Sequence, residues 1–420
     1  MPDTGLDGIV DVAIVGAGII GLASAAYLQD AGLRVVLIDR KGIAQEASAQ
    51  NAGAFAYSDI LPLASPRILR QAPKWLLDPL GPLSIPPAYL PRILPWLLRF
   101  WRASWPDRVR DSIIAQTALM RLARAETPVL QNMTGTGHML RTGGALHLYE
   151  SERELRDGEP GWNVRAAQNI AFKHLLGREA IAEYQPGLSN RFVAATFVPE
   201  WHTISDPSDY AQAIGRHVLA NGAGLVERAV ETVGESGELV RVGLSDGTSL
   251  TARYLLVAAG AWSHHLARQL GDRIPLETER GYNTTLPTSS FDLRRQLILG
   301  GHGFVITPLS SGIRIGGAVE LGGLLRQPNF ARAEIMLRKA KQFLPDLVTE
   351  GGRQWMGFRP SLPDSLPVIA RAPRHRSIIY AFGHGHLGLT QSAATGRLVC
   401  DIITGNAPAT DLAPFRAERF

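Results

Sequence analysis

The alternation of apolar and polar residues predicts a strand, a helix and a second strand at the start of the chain. Apolar residues occupy positions 12–15 and 35–38, as expected of two buried strands. The turn Gly16-Ala17-Gly18-Ile19-Ile20-Gly21 follows the first strand and leads into a helical pattern, and Asp39 closes the second strand. Because these features occur together and in this order, the region is predicted to bind a dinucleotide.

Each glycine of this turn has its own expected task. Gly16 permits the tight turn, Gly18 lets a pyrophosphate approach the backbone, and Gly21 lets the helix pack against the strand. The N-terminus of the helix offers free N–H groups to the phosphates, and the Asp39 carboxylate is placed to accept a hydrogen bond from a ribose hydroxyl. These features alone do not distinguish FAD from NAD.

Beyond this unit the pattern predicts a mixture of helices and strands. Helices are expected over 95–102, over 111–132, from Pro207 to about Asn221 with Asp206 as the N-cap, and over 390–404. Pro128 is expected to kink the second of these helices or to end it. Strands are expected at 146–149, in a hairpin of 238–244 with 249–252, at 254–260, and between 280 and 320.

This order predicts an α/β protein in which a discontinuous domain carries an inserted one. Units typical of a parallel sheet frame a middle region that is typical of an antiparallel sheet. We expect a Rossmann-type dinucleotide-binding domain formed by residues 1–60, 150–265 and 351–420. Residues 61–149 and 266–350 are then expected to form an antiparallel-sheet (α+β) substrate domain.

Composition narrows the class of protein. The chain has 420 residues, of which 45% are hydrophobic, and its mean hydropathy of +0.01 is that of an ordinary globular protein. The net charge of +5 comes from arginines scattered among acids, so we do not expect nucleic-acid binding. The single cysteine, Cys400, excludes an internal disulfide, and no metal-ligand cluster is expected. Neither a cleavable signal nor a membrane-spanning segment is found, which favours a cytoplasmic protein, with attachment to the membrane surface left open.

Four segments together resemble one family. They are 46–53 (EASAQNAG), 255–263 (LLVAAGAWS), 355–369 (WMGFRPSLPDSLPVI) and 382–390 (FGHGHLGLT). In this order they resemble the D-amino acid oxidase family of FAD-dependent oxidoreductases, and most of all its bacterial D-amino acid dehydrogenases of the small subunit type. The resemblance implies FAD as a non-covalent cofactor, because covalent attachment in the family uses a cysteine and Cys400 is not placed for it.

The motif and the resemblance together select the residues expected to bind FAD. These are Gly16, Gly18, Ile19, Ile20, Gly21, Asp39, Arg40, Ser48, Gln50, Asn51, Ala52, Gly53, Val230, Ala259, Gly260, Trp262, Gly357, Gly383, Gly385, Leu387, Gly388, Leu389 and Thr390.

Three further residues are expected at the substrate. Amine oxidation transfers a hydride from the α-carbon to flavin N5, so the substrate carboxylate must be held, and arginine holds a carboxylate with two parallel hydrogen bonds. Arg359 is the first candidate for this anchor, since its family counterpart has that role; the alternative is a surface or FAD-phosphate arginine. Tyr282 either completes the anchor or packs as an aromatic on a strand. His386 either bonds a polar substrate side chain or supports the turn before the last helix.

The resemblance implies oxidative deamination of D-amino acids, with electrons passed to a respiratory quinone or another acceptor rather than mainly to oxygen. The alternatives are oxidation of glycine, sarcosine or a cyclic amine such as hydroxy-D-proline, a flavin subunit of a hetero-oligomer, and a non-enzymatic dinucleotide-binding regulator.

The stretch 61–106 is rich in proline and tryptophan, with Trp75, Trp96, Trp101 and Trp105. Leu90, Ile93, Leu94, Leu97 and Trp101, with Arg92, Arg99 and Arg102, either form a basic amphipathic surface at a membrane or pack on the chain's own domain.

Overall fold

The computed structural model describes residues 8–66, 78 and 81–420, so Trp75 lies outside the described residues. The described residues form these α-helices: α1 Ile19–Asp30, α2 Leu90–Ala103, α3 Pro106–Thr134, α4 Glu152–Ala167, α5 Arg178–Tyr184, α6 Pro207–Ala220, α7 Ser263–Gln269, α8 Ala331–Phe343 and α9 Gly388–Thr404. Their strands are β1 Ile9–Val15, β2 Val35–Ile38, β3 Ala54–Phe55, β4 Leu83–Ser84, β5 Leu140–Arg141, β6 Ala145–Tyr149, β7 Lys173–Leu176, β8 Ala194–Val198, β9 His202–Ile204, β10 Gly224–Val226, β11 Val230–Ser236, β12 Leu239–Leu244, β13 Ser249–Val257, β14 Glu277–Leu286, β15 Gln296–Leu299, β16 Phe304–Leu309, β17 Gly312–Leu321, β18 Arg353–Ser361, β19 Val368–Ala372 and β20 His375–Phe382.

A parallel sheet carries the glycine turn. Its parallel strands lie in the order β10, β2, β1, β13, β20. Helices α1, α3, α6 and α9 contribute to the apolar core on one face, and α7 packs on the other face. A Cβ atom at Gly396 of α9 would lie 2.8 Å from the Tyr27 ring of α1, so the glycine allows these two helices to pack closely. This arrangement confirms the predicted Rossmann-type α/β fold.

A second, mainly antiparallel sheet lies beside the first. Its strands follow the order β18, β14, β17, β16, β15, β6, β8, β7, with β4 paired to β17. The pairing in this sheet therefore disagrees with the predicted domain boundaries at two points. The segment 150–198 contributes β7 and β8, and 353–361 contributes β18, to this sheet rather than to the dinucleotide domain. Pairing between strands distant in sequence decides this membership, and neither segment's own pattern reveals its partner.

Helix α3 also departs from the prediction. It runs through Pro128 from Pro106 to Thr134, and Ala115, Leu119 and Ala123 lie in the core of the dinucleotide domain. The region 106–134, predicted to belong to the substrate domain, thus packs on α1 and α9, because its apolar stripe is buried there.

Local patterns predicted several other elements correctly. The Asp206 carboxylate accepts from the backbone N–H of Ser208 (2.8 Å) and caps α6 as expected. The predicted hairpin forms between β12 and β13. The strands expected at 249–252 and 254–260 are one strand, β13, whose first half pairs with β12 and whose second half pairs with β20.

Helix α2 is partly buried and partly exposed. Ile93 and Trp96 pack against Leu321, whereas the side chains of Leu90, Leu94, Leu98 and Trp101 are about half exposed. The surface predicted from Leu90, Ile93, Leu94, Leu97 and Trp101 is therefore incorrect at Ile93, which faces the protein. Among the described helices, none has both the length and the hydropathy needed to cross a bilayer.

Candidate active site

The glycine turn between β1 and α1 is shaped by close backbone contacts. Gly16 has φ +111°, and a Cβ atom there would lie 2.3 Å from the Ala258 carbonyl oxygen. A Cβ atom at Gly21 would lie 1.9 Å from the Gly16 oxygen. The N-cap residue of α1, Gly18, has no side chain, although the Ser48 hydroxyl accepts from the Ile19 N–H at 2.9 Å. The turn therefore presents the positive end of a helix, which suits a phosphate group.

Charged side chains border this turn. The Asp39 carboxylate accepts from the backbone N–H groups of Ala17 and Lys41, both at 2.9 Å, so it holds the turn and lines the cavity beside it. Because a carboxylate has about four acceptor sites, capacity for a ribose hydroxyl remains. The Arg40 guanidinium lies 4.0 Å from the centre of the Trp262 ring.

The loop 46–53 is anchored by residues that the sequence analysis did not single out. Arg314 on β17 donates to the Asn51 carbonyl (2.7 Å) and to Gln50 Oε1 (3.1 Å), and burial lowers the pKa of its guanidinium to about 10. Asn283 on β14 donates to the Gln50 carbonyl at 2.9 Å. The second sheet thus fixes the loop that borders the cavity.

One cavity of about 790 Å³ joins the glycine turn to the second sheet. All the predicted cofactor residues line it except Gly21, Gly53, Gly383 and Thr390, which lie behind its wall. Their contacts support the wall instead. For example, the Thr390 hydroxyl accepts from the Ala56 N–H (3.0 Å) and donates to the Ala54 carbonyl (3.2 Å), which ties α9 to β3.

Arg359 lies on β18 opposite Glu279 of β14 and lines this cavity. A Cβ atom at Gly281 would lie 2.5 Å from Arg359 Nη2, so the glycine makes room for the guanidinium to cross β14. Arg359 Nη1 donates to the Ala318 carbonyl at 3.2 Å, and no ion pair joins the guanidinium to a described carboxylate. Burial lowers the pKa of Arg359, and the Glu279 charge offsets part of this shift. An arginine stays charged under such shifts, so this guanidinium lines the cavity as a cation with no described carboxylate at ion-pair distance.

Tyr282 does not share this orientation. Its hydroxyl donates to Glu320 at 2.5 Å and accepts from the Asn329 N–H, and its ring belongs to the apolar core of the second domain. Gly281 lies beside the Arg359 guanidinium, and Asn283 donates to the Gln50 carbonyl. Because neighbouring residues of a strand face opposite sides of the sheet, the Tyr282 side chain lies on the other side. Tyr282 is among the residues that line the cavity, but its engaged hydroxyl and packed ring favour the alternative of a packed aromatic over part of a carboxylate anchor.

His386 lines the cavity just before α9. Its Nε2 lies 3.0 Å from Asp59 Oδ2, and its side chain is 36% exposed. Burial tends to raise the pKa of the Asp59 carboxyl, but His386 and Arg165 outweigh this and leave the pKa below its usual value. Asp59 is a further residue that the sequence analysis missed, because it follows β3 in a stretch without a recognisable motif.

The other histidine before α9, His384, faces away from this pair. It is 4% exposed, its Nε2 lies 3.0 Å from the Thr395 hydroxyl, and burial lowers its pKa to about 3.

These features define the class of protein: a two-domain oxidoreductase fold with a dinucleotide cavity that also contains a cationic anchor. The profile of the DAO family, described as FAD dependent oxidoreductase, matches residues 11–402. A D-amino-acid oxidase of Bradyrhizobium diazoefficiens is 36% identical over 97% of this chain and 98% of its own length. A D-amino acid dehydrogenase of Xanthobacter autotrophicus is 30% identical over 97% of this chain and 99% of its own length. The glycine oxidase structure from Geobacillus kaustophilus superposes with a TM-score of 0.78 at 22% identity, over 98% of this chain and 99% of that chain.

The chain belongs to the DAO family of FAD-dependent oxidoreductases. The predicted family and cofactor are thereby confirmed: the protein is an FAD-dependent oxidoreductase of amino acids, and FAD is its cofactor. The residues present fit this group. The glycine turn at Gly16, where a Cβ atom does not fit, would hold the pyrophosphate, and the N-terminus of α9, whose N-cap residue makes no side-chain hydrogen bond, lies at the same cavity. A helix N-terminus there would stabilise negative charge on the cofactor.

Proposed function

We propose that this chain oxidises D-amino acids to imino acids, which water converts to a 2-oxo acid and ammonia when the amine is primary. The observation that carries the proposal is the Arg359 guanidinium, which lines the cavity, is partly withdrawn from water and has no ion-pair partner among the described residues. The names of the relatives, D-amino-acid oxidase and D-amino acid dehydrogenase, support this substrate class.

The protein's own task in this reaction is to orient the substrate. Arg359 holds the carboxylate with two parallel hydrogen bonds and so fixes the α-carbon attached to it. Gly281 and the Ala318 carbonyl keep the guanidinium in place. FAD, when bound, accepts the hydride that leaves the α-carbon.

We further propose that the electrons pass to a quinone or another acceptor rather than mainly to oxygen. The relatives at about 30% identity are named dehydrogenases, although the relative at 36% is named an oxidase. Rates of substrate oxidation should be compared with oxygen alone and with a quinone or an artificial dye. A rate with oxygen that equals the rate with the dye would refute this part of the proposal.

A substrate panel tests the reaction itself. FAD-loaded protein is mixed with D-amino acids, L-amino acids, glycine, sarcosine and cyclic amines, and the reduction of a dye is followed. We expect the highest kcat/KM with D-amino acids. A panel in which only L-amino acids react, or glycine and N-methyl amines alone, would contradict the assigned substrate class.

The exposed side of α2 supports one further part of the proposal, contact with a membrane that contains quinone. Leu94, Leu98 and Trp101 are 50%, 57% and 52% exposed, and Arg92, Arg99 and Arg102 lie on the same helix. Such a surface binds anionic lipid through apolar insertion and charge. We expect the protein to float with anionic vesicles and the Leu94→Glu, Leu98→Glu variant to remain behind; flotation of neither protein would refute this contact.

A further inference from the structure

The end of the cavity near His386 contains a second set of polar groups. The Asp59 carboxylate, 25% exposed, lies between His386 on one side and Arg165 on the other. Asp59 and His386 line the cavity, together with His147, Trp201 and Gln296. Arg165 is not part of the lining: it donates to the Ser58 carbonyl (2.9 Å) and supports the Asp59 loop from behind.

This end of the cavity is close to the carboxylate anchor. Gly385 donates its N–H to the Pro360 carbonyl at 2.7 Å. His386 follows Gly385 and Arg359 precedes Pro360, so the two side chains emerge beside one backbone hydrogen bond. Arg359, Asp59 and His386 also line the same cavity, so a substrate held at Arg359 shares that cavity with this group of side chains.

One acceptor atom remains open here. A carboxylate only accepts hydrogen bonds, so His386 donates its Nε2–H to Asp59 Oδ2. Asp59 Oδ1 has Arg165 Nη2 at 3.7 Å, which is beyond hydrogen-bond distance. The amide of Gln296, by contrast, is already bonded to Trp201 and Thr307.

The charges at this end decide the kind of group that fits. Asp59 repels a second carboxylate. Arg165 balances the Asp59 charge, so a cationic side chain gains little, and burial keeps the adjacent His147 neutral by lowering its pKa to about 3. An aliphatic side chain would cover the open Asp59 Oδ1 atom and leave it without a donor.

We propose that Asp59 and His386 form a specificity subsite for a neutral side chain that donates hydrogen bonds, namely a hydroxyl or a carboxamide. This inference rests on the proposed oxidation of amino acids anchored at Arg359. In this proposal Asp59 is a specificity residue that contacts the substrate side chain. His386, which is bonded to Asp59, takes part in the same contact.

Isosteric substrate pairs test the subsite on the FAD-loaded protein. We expect kcat/KM for D-asparagine to exceed that for D-leucine and D-aspartate, and that for D-threonine to exceed that for D-valine, by about ten- to a hundredfold, as for a hydrogen bond to a charged group. Equal values within each pair, or a preference for D-ornithine over D-asparagine, would overturn the proposal. If no amino acid of the panel is oxidised, the proposed function itself fails.

The Asp59→Asn variant is expected to gain activity on one substrate, which a folding defect would not produce. It should raise kcat/KM for D-aspartate about tenfold, because the repelling charge is gone, and should lower the ratio of D-asparagine to D-leucine. The matched control is Asp272→Asn, which removes a buried carboxylate bonded to Tyr380 (2.7 Å) outside the cavity. The control should leave all ratios unchanged. If Asp59→Asn does not fold, the wild-type ratios alone decide the proposal.

Discussion

Replacing Arg359 by methionine perturbs the site at its anchor. Methionine keeps most of the side-chain volume and removes the charge and the donors. Arginine carries five N–H donors, and because one is used on the Ala318 carbonyl, enough remain for two parallel bonds to a carboxylate. Removing one partner of a desolvated ion pair costs about 3–5 kcal/mol. The expected loss in kcat/KM is therefore roughly a hundred- to several-thousandfold.

The loss should appear mainly in KM, because the carboxylate is bound alike in the ground state and the transition state. The assay is dye reduction with a D-amino acid at increasing concentration, after flavin absorbance has shown that the variant retains FAD. Arg359→Lys keeps the charge without the planar fork and should fall between wild type and Arg359→Met. The matched control is Arg353→Met, an exposed arginine on the same strand, β18. An unchanged KM in Arg359→Met would refute the anchoring role.

Three further predictions follow from the same structure. Gly281→Ala should keep the fold but raise KM about ten- to a hundredfold, since its Cβ would displace a flexible guanidinium now 2.5 Å away; a wild-type KM would show that the position of Arg359 is unimportant. Gly16→Ala should abolish flavin absorbance of the purified protein, because its Cβ would meet the backbone at 2.3 Å, whereas Gly237→Ala, at a glycine of φ +65° with open space, should retain it. Burial lowers the pKa of His384 from 6.5 to about 3. Between these two pH values the unfolded chain binds a proton at this residue and the folded protein does not. The folded protein therefore loses stability as the pH falls from 6.5 towards 3. His384→Gln should reduce the fall in Tm between pH 7 and pH 5, to which this group contributes about 1.4 kcal/mol per pH unit; equal Tm slopes for both proteins would contradict this assignment.

Local signals in the sequence predicted the dinucleotide unit well. The glycine spacing from Gly16 to Gly21 is required by backbone contacts within a few residues or with one adjacent strand, and the cap at Asp206 depends only on its own helix. The cap at Asp206 is visible in a short window of sequence because its partners lie within it, and the glycine turn is recognised from its spacing although Ala258 is distant in sequence.

Long-range contacts could not be predicted from the sequence, because the contacting residues lie far apart along the chain. The Asp59 and His386 pair joins residues 327 positions apart, and Arg314 reaches a loop 263 positions away. The membership of β7, β8 and β18 in the second sheet also depends on distant strands. The alternative of a packed aromatic at Tyr282 had a local signal. Along β14, Gly281 and Asn283 share one face, and the even-numbered residues share the other, so the alternation along the strand places Tyr282 on the face opposite to Gly281.

The most direct test of the central claim compares D-alanine with D-alaninamide. Purified FAD-loaded protein is mixed anaerobically with each compound, and the loss of oxidised-flavin absorbance is followed. We expect rapid bleaching by D-alanine. With D-alaninamide we expect bleaching slower by a factor of about a hundred or more, because the amide offers Arg359 no negative charge. Equal bleaching by both compounds, or none with any amino acid, would contradict a substrate carboxylate anchored at Arg359.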